Sequence, residues 1–235
     1  MFRGYQVLLI VPALDEEDTI GEVLRQVDRS VVDAIVVADN GSSDGTRHRA
    51  VEAGAIVLGE PRRGYGSACL RALRDGPPSD IVVFIDADGS DDPSEIEAML
   101  AQLLDRGADF IVGSRVLGKA EPGALTPIQV FGNGLTCVLV HLFWGVRFTD
   151  LGPFRAIRRS ALDRLEMSDP DFGWTIEMQV KAAQRGLRST EIPVRYRVRA
   201  GGRSKVSGTL SGVYRAGTRI LSYVLAAKWN ELRRA

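Results

Sequence analysis

The stretch IVVFIDADGSDDP, residues 81–93, decides how the rest of the chain is read. An apolar, mostly β-branched run (81–85) passes without a break into Asp86, Asp88, Asp91 and Asp92. A short apolar run bounded by turn residues has the pattern of a strand buried on both faces. Like charges placed directly after it repel unless a cation sits among them or a helix start absorbs some of them. Asp86 and Asp88, one residue apart at a strand end, suit one hard divalent cation, Mg²⁺ or Mn²⁺, which keeps open positions for substrate phosphates. Asp91 and Asp92 suit a helix start: Asp92 can cap, Pro93 fits the first helical position and Glu95 favours the positive end.

Working outward, similar short runs predict strands at 7–11, 34–38, 55–58 and 109–112, with a later pair near 147–149 and 191–197. Helical patterns fall at 18–27, 45–53, 67–74 and 93–106, then at 160–165, 174–185 and from 209 onward. This alternation indicates an α/β fold, a mostly parallel sheet with crossover helices. With no repeat, linker or low-complexity stretch, residues 1–235 read as a single domain whose last third is a mixed extension.

The polar residues gather at one edge of that sheet. The first strand ends in Pro12-Ala13-Leu14-Asp15-Glu16-Glu17 and the second in Asp39-Asn40-Gly41-Ser42. The next two clusters are Asp86-Ala87-Asp88 and Gly113-Ser114-Arg115. The carboxyl edge is where open α/β sheets bind ligands, so four clusters there predict a site. Asp39 and Asp15 are candidates for ligand contact, while Gly41 and Gly45 are turn formers.

Composition excludes some partners. The chain has 30 Lys and Arg against 30 Asp and Glu, so no bulk charge points to nucleic acid. Two cysteines, Cys69 and Cys137, lie far apart without metal spacing, which predicts a reducing, cytoplasmic setting. The apolar run near Met1 is too short for a secretion signal. Residues 125–146 carry no formal charge, but their continuous apolar part (137–146) is about half the ~20 residues of a span, which predicts a buried or interfacial helix.

Other chemistries compete for the same residues. An EF-hand loop beginning at Asp86 fails because Asp91 occupies the required glycine position and a strand precedes it. Asp86-x-Asp88-Gly89-Ser90 resembles the nucleophile loop of haloacid-dehalogenase-type phosphatases, but that loop usually opens its domain and here three strands come first. A non-catalytic nucleotide-binding module is a further alternative. Gly64-Tyr65-Gly66-Ser67-Ala68 is a weak match to a dinucleotide loop and stands after the wrong strand. The basic, glycine-rich Arg199-Ala200-Gly201-Gly202-Arg203-Ser204-Lys205 suits a pyrophosphate or simply a solvated loop. Glu177 either points into the site or pairs with a nearby cation.

Taken in order, these motifs resemble the family-2 glycosyltransferases of the GT-A fold. Pro12-Ala13-x-Asp15-Glu16-Glu17, Asp39 to Thr46, Asp86-x-Asp88, Gly113-Ser114-Arg115 and Asp150-Leu151-Gly152-Pro153-Phe154-Arg155 follow the family's sequence. Glu191-Ile192-Pro193-Val194 and Gly202-Arg203-Ser204-Lys205 are similar to the dolichol-phosphate mannose synthase branch.

The resemblance implies a nucleotide diphosphate sugar donor of the GDP-mannose or UDP-glucose type, with 1–115 as the donor half and 116–235 as the acceptor half. It implies that Pro12, Ala13, Asp15, Glu17, Asp39 and Ala87 line the nucleoside site. Asp86 and Asp88 would hold the metal on the diphosphate, and Arg203 and Lys205 would close over it. Arg115 would bind the phosphate of a polyprenyl phosphate acceptor. For a hydroxyl acceptor, Asp150 is the candidate base. Three positions depart from that branch: Ser90 replaces a metal-assisting glutamine, Asn40 replaces the second acid of an Asp-Asp pair, and no Arg and Ser stand near Gln129 and Asn133. The charge-free helix and the amphipathic last helix predict peripheral contact with a membrane, at its inner face.

Overall fold

The computed structural model describes residues 1–201 and 210–233. Strands β1 (Val7–Ala13), β2 (Ala34–Asp39), β3 (Ile56–Gly59), β4 (Ile81–Phe84), β5 (Phe110–Ala120), β6 (Arg155–Arg158) and β7 (Ser189–Tyr196) form one sheet in the order β3-β2-β1-β4-β6-β5-β7. Helices α1 (Ile20–Arg25), α2 (Thr46–Glu52), α3 (Tyr65–Asp75), α4 (Ile96–Asp105), α5 (Pro127–Trp144), α6 (Arg159–Leu165), α7 (Trp174–Gln184) and α8 (Leu210–Leu232) surround it. All neighbouring strands are parallel except around β6, which runs antiparallel to β4 and β5.

Both faces of the sheet are covered, so its central strands carry no polar alternation. Val7, Leu9 and Val11 of β1 join Ile20, Val23 and Leu24 of α1 and Met99, Leu100 and Leu103 of α4 in one core. Leu8 and Ile10 point the other way, into a second core with Ala68 and Ala72 of α3, Trp174 and Met178 of α7 and Val224 of α8. With a side-chain period of two, every other residue of β1 serves each core.

Strand order reverses at β1, between β2 and β4. The carboxyl ends of β1, β2 and β4 therefore open on one edge, with Ala13 beside Asp39 and Ile10 beside Phe84. That crevice is the expected ligand position in an open sheet.

Two expectations are corrected. No strand forms at 147–149; the strand before the second half is Arg155–Arg158, and Asp150 lies in the loop leading into it. β5 does not stop at 112 but continues to Ala120, so Gly113-Ser114-Arg115 sits inside a strand. Its extension is possible because β7 runs beside it, resuming after a register shift at Lys119–Arg195.

The stretch at 125–146 is one helix, α5, opened by a reciprocal cap between Thr126 and Gln129 and closed by Gly145 at φ 73°. Only 17% of its 18 residues is buried. A soluble core helix would be mostly covered; α5 instead lies along the surface against α8 and α7.

Candidate active site

The loops after β1 and β2 clasp one another. Asp15, at φ 50°, accepts from the Ser43 N–H at 2.8 Å and its own N–H donates to Ser42 Oγ at 2.9 Å. The Glu17 carboxylate accepts from the Gly45 N–H at 2.7 Å, and Glu16 N–H donates to Thr46 Oγ1 at 2.7 Å. Asp39, 1% exposed, accepts from the Ser42 N–H at 3.1 Å. Of the residues expected at the nucleoside, Pro12, Ala13 and Ala87 line the central cleft, and Asp15, Glu17 and Asp39 hydrogen-bond the loops after β1 and β2.

Asn40, which replaces an expected acid, has a definite task. Its amide donates to the carbonyls of Glu60 and Arg62 at 3.2 and 2.7 Å and accepts from the Gly64 N–H at 2.8 Å. An aspartate there would lack the donors, so Asn40 ties the end of β2 to the loop opening α3.

The four acids after β4 separate into different environments. Asp92 caps the 3-10 turn Pro93–Glu95 by accepting from the Ser94 N–H, and it pairs with Arg195 and Arg197. Asp91, expected beside it at the helix start, is instead 1% exposed and accepts from the Asp86 N–H at 3.3 Å. Burial, followed by repulsion from Asp86 and Asp88, pushes its pKa well up. Its other oxygen, Oδ1, is buried without a hydrogen-bond partner among the described residues. Asp86 faces the cleft; burial and then the charge of Asp88 raise its pKa to about 7, against the Tyr65 hydroxyl, which donates to Oδ1 at 3.1 Å.

A cation does sit among them: Arg199. Its guanidinium donates to Asp88 Oδ2 at 3.0 Å and to the Glu16 carboxylate, while its Nε donates to the Gly201 carbonyl at 2.6 Å. Asp88 Oδ1 accepts from the Ser90 N–H at 3.0 Å and from the Ser90 hydroxyl. Ser90, standing in place of a glutamine, thus orients the carboxylate it follows. Residues 197–200 lie across this turn through Arg197 N–H to Ser90 O (2.8 Å) and Ala200 N–H to Asp88 O (3.2 Å). Arg203 and Lys205 lie outside the described residues.

Among the described residues no three His, Cys, Asp or Glu side chains form a metal cluster. Two carboxylates at the mouth of a cleft nevertheless fit Mg²⁺ or Mn²⁺, which normally takes its remaining oxygens from water and substrate phosphates. The raised Asp86, the buried unpartnered Asp91 oxygen and the guanidinium resting on Asp88 all mark a place short of positive charge.

Across the cleft, Arg115 of β5 is held by Asp150. Arg115 Nε and Nη2 each donate to the Asp150 carboxylate at 2.7 Å, and the Arg115 N–H adds a third bond at 2.8 Å. Leu151 N–H supplies a fourth at 2.8 Å. Two bonds on each oxygen occupy the acceptor capacity of Asp150, which is 0% exposed. Those bonds and the Asp150 charge outweigh burial and raise the Arg115 pKa, and the guanidinium lies 4.9 Å from the Tyr196 ring centre. So placed, Asp150 anchors Arg115, with both of its oxygens engaged in hydrogen bonds. Asn133 and Glu191 hold the same loop, through Thr149, Asp150 and Leu151.

Glu177 is not a site residue. It accepts from Ser168 and Asp169 N–H groups and pairs with Lys181 at 2.8 Å. Tyr65, which the sequence placed only in a weak dinucleotide-loop match, lines the cleft, as do Glu16 and Arg199, whose pairing with one another the sequence did not suggest. Glu16 lies 183 positions from Arg199, and no spacing rule joins them.

The comparisons with known proteins agree with this geometry. The chain is 36% identical to an uncharacterized glycosyltransferase of Mycobacterium tuberculosis over 211 residues, covering 89% of this chain and 93% of that protein. It is 29% identical to the undecaprenyl-phosphate mannosyltransferase of Micrococcus luteus, covering 97% and 98% of the two chains. It is 32% identical to the dolichyl-phosphate hexose transferase of Haloferax volcanii, covering 82% and 83%. Among solved structures, glucosyl-3-phosphoglycerate synthase from Mycobacterium tuberculosis with Mg²⁺ and UDP superposes at a TM-score of 0.77. Identity there is 25%, over 96% of this chain and 80% of that one, and the shared architecture is the GT-A fold. The model of glycosyl transferase family 2 matches residues 8–166, and the chain belongs to that family.

Proposed function

We propose that this glycosyltransferase moves a hexose from a nucleoside diphosphate sugar to a polyprenyl phosphate at a membrane surface, inverting the anomeric carbon. The observation that carries this reading is the continuity of the cleft with an uncovered apolar face. The cleft, about 830 Å³, runs from Asp86 and Asp88 past Arg115 to Ile128, Gln129 and Asn133 of α5. From there Ile128, Phe131, Leu135, Val138 and Leu142 continue along α5, all exposed. Their spacing of three and four residues places them on one side of the helix. Leu225, Trp229 and Leu232 of the adjacent α8 are exposed too. A polar head in the cleft and an apolar tail along α5 is the shape of a lipid phosphate.

The chemistry follows from the residues. Asp86 and Asp88 would hold Mg²⁺ or Mn²⁺, which supplies charge stabilisation to a departing diphosphate. Arg63, Arg197 and Arg199 line the same cleft and add cations beside it. Arg115, fixed by Asp150, receives the acceptor phosphate as a preoriented fork. A phosphate oxygen is already an anion and needs no general base, which agrees with Asp150 having none of its lone pairs available. A hydroxyl acceptor would need a base that Asp150, so bound, cannot supply. Both cysteines are free and buried, which supports a reducing compartment and so the cytoplasmic side.

The test is a transfer assay with labelled sugar donors and a lipid extract, separated into organic and aqueous products. Label in the organic phase is the expected result; label confined to water removes the lipid acceptor. Phe131→Asp with Leu142→Asp should lower transfer to vesicle-embedded polyprenyl phosphate by at least about tenfold and spare a short, water-soluble analogue, because charge on an interfacial face costs a few kcal/mol.

A further inference from the structure

We infer that Tyr65 is a positioning residue for the metal carboxylate, holding Asp86 by one oxygen so that the other is presented to the cation. The inference rests on the proposed metal role of Asp86 and Asp88. It starts from where Tyr65 stands. It is the first residue of α3, between Gly64 and Gly66, and it lines the cleft beside Asp86. Its hydroxyl donates to Asp86 Oδ1 at 3.1 Å, and no other side chain or backbone donor bonds that carboxylate among the described residues.

The first turn of α3 is clamped in place. Gly64 has φ 135°, and a Cβ there would fall 2.1 Å from the Pro170 carbonyl oxygen. A Cβ on Gly66 would fall 1.9 Å from the Asp169 carbonyl oxygen. Only glycine at both positions lets the backbone of 169–170 lie this close. The contact is bonded as well as packed, because Ser67 N–H and its hydroxyl both donate to the Pro170 carbonyl, at 2.8 and 3.1 Å.

The opposing loop is itself anchored. Glu177, 1% exposed, accepts from the Ser168 and Asp169 N–H groups at 3.0 and 2.7 Å. Asp169 pairs with Arg219 of α8 at 2.7 Å. This gives a purpose to the Gly64-Tyr65-Gly66 turn, and to Glu177, which bonds the loop behind it and not Asp86 or Asp88. Together they hold Tyr65 so that its hydroxyl meets Asp86. Groups that hydrogen-bond a metal ligand are worth about 10- to 100-fold in metal affinity.

The test is Tyr65→Phe, which removes one oxygen and keeps the ring. Free Mn²⁺ would be titrated by electron paramagnetic resonance against the full chain, with and without saturating UDP or GDP. Turnover would be followed against Mn²⁺ concentration, and thermal melting would confirm folding. The expected result is a Mn²⁺ Kd weakened about tenfold. The Mn²⁺ needed for half-maximal turnover should rise in step, with kcat at saturating Mn²⁺ changing much less. A folded variant with the Mn²⁺ Kd of the wild type overturns the inference. Asp88→Asn separates the two ideas. If it loses Mn²⁺ while Tyr65→Phe does not, the metal site stands and the positioning role falls. If the wild type binds no Mn²⁺, both fall.

Discussion

Replacing Asp88 by Asn should lower transfer by at least about a hundredfold while leaving the fold intact. The loss follows from charge: a divalent ion contributes several kcal/mol of stabilisation where a diphosphate departs, and each 1.4 kcal/mol is about tenfold in rate. An amide is a poor ligand for a hard cation and brings no negative charge. The fold survives because Asp88 is positioned mainly through Oδ1, which accepts from the Ser90 N–H and hydroxyl, and an asparagine oxygen accepts equally well. What changes locally is the other atom, where an NH₂ would face the Arg199 guanidinium that now sits 3.0 Å from Oδ2. Turnover with saturating donor and Mn²⁺, beside a melting curve, measures both halves. Wild-type turnover in the variant would remove the metal from the mechanism.

The second large effect is on stability. Asp150→Ala should cost about 3–5 kcal/mol, because it removes one partner from a buried ion pair and leaves the other charge uncompensated. Arg115, only 13% exposed at its side chain, would lose its carboxylate and its N–H would lose the Asp150 acceptor, while the Leu151 N–H would keep only Asn133 Oδ1. Arg155 worsens the balance. It is buried nearby on the carbonyls of Leu151, Gly152 and Thr175, bonded to no carboxylate among the described residues, and burial lowers its pKa to about 10. For a chain of this size the melting temperature should fall on the order of 10 °C. A variant that melts like the wild type but has lost turnover would show Asp150 acting on the substrate instead.

The parallel half of the sheet was legible because β1, β2 and β4 are apolar but for Asp39 at the end of β2, a pattern that belongs to strands covered on both faces. β6 was not, since its four residues are Arg155-Ala156-Ile157-Arg158 and a strand containing two arginines has no apolar signature. Arg155 is tolerated inside because backbone carbonyls satisfy it, a fact of tertiary structure alone. Likewise Gly113-Ser114-Arg115 looked like a loop because the apolar run ends there, while β7 continues to pair beside it.

The site shows the same division. Asp86, Asp88 and Arg115 were visible as polar residues ending or following apolar runs, and all three line one cleft. Their partners were not visible, because they come from distant chain segments: Arg199 is 111 positions from Asp88, and Asp150 is 35 from Arg115. Asp91 and Asp92 look alike in sequence and are both buried, yet one accepts from the Asp86 N–H and the other caps a helical turn. Spacing along the chain does not encode which of two neighbouring acids turns toward Asp86.

The central claim is that Asp86 and Asp88 bring a divalent cation and a nucleoside diphosphate together in this cleft. It is tested most directly by the melting temperature of the wild-type chain with UDP, GDP and their sugars, each with and without Mn²⁺. The account predicts a rise of several degrees for at least one nucleotide that requires the metal, as follows when a ligand at about 100 times its Kd adds about 2.7 kcal/mol. No rise with any nucleotide, or an equal rise without metal, would contradict it.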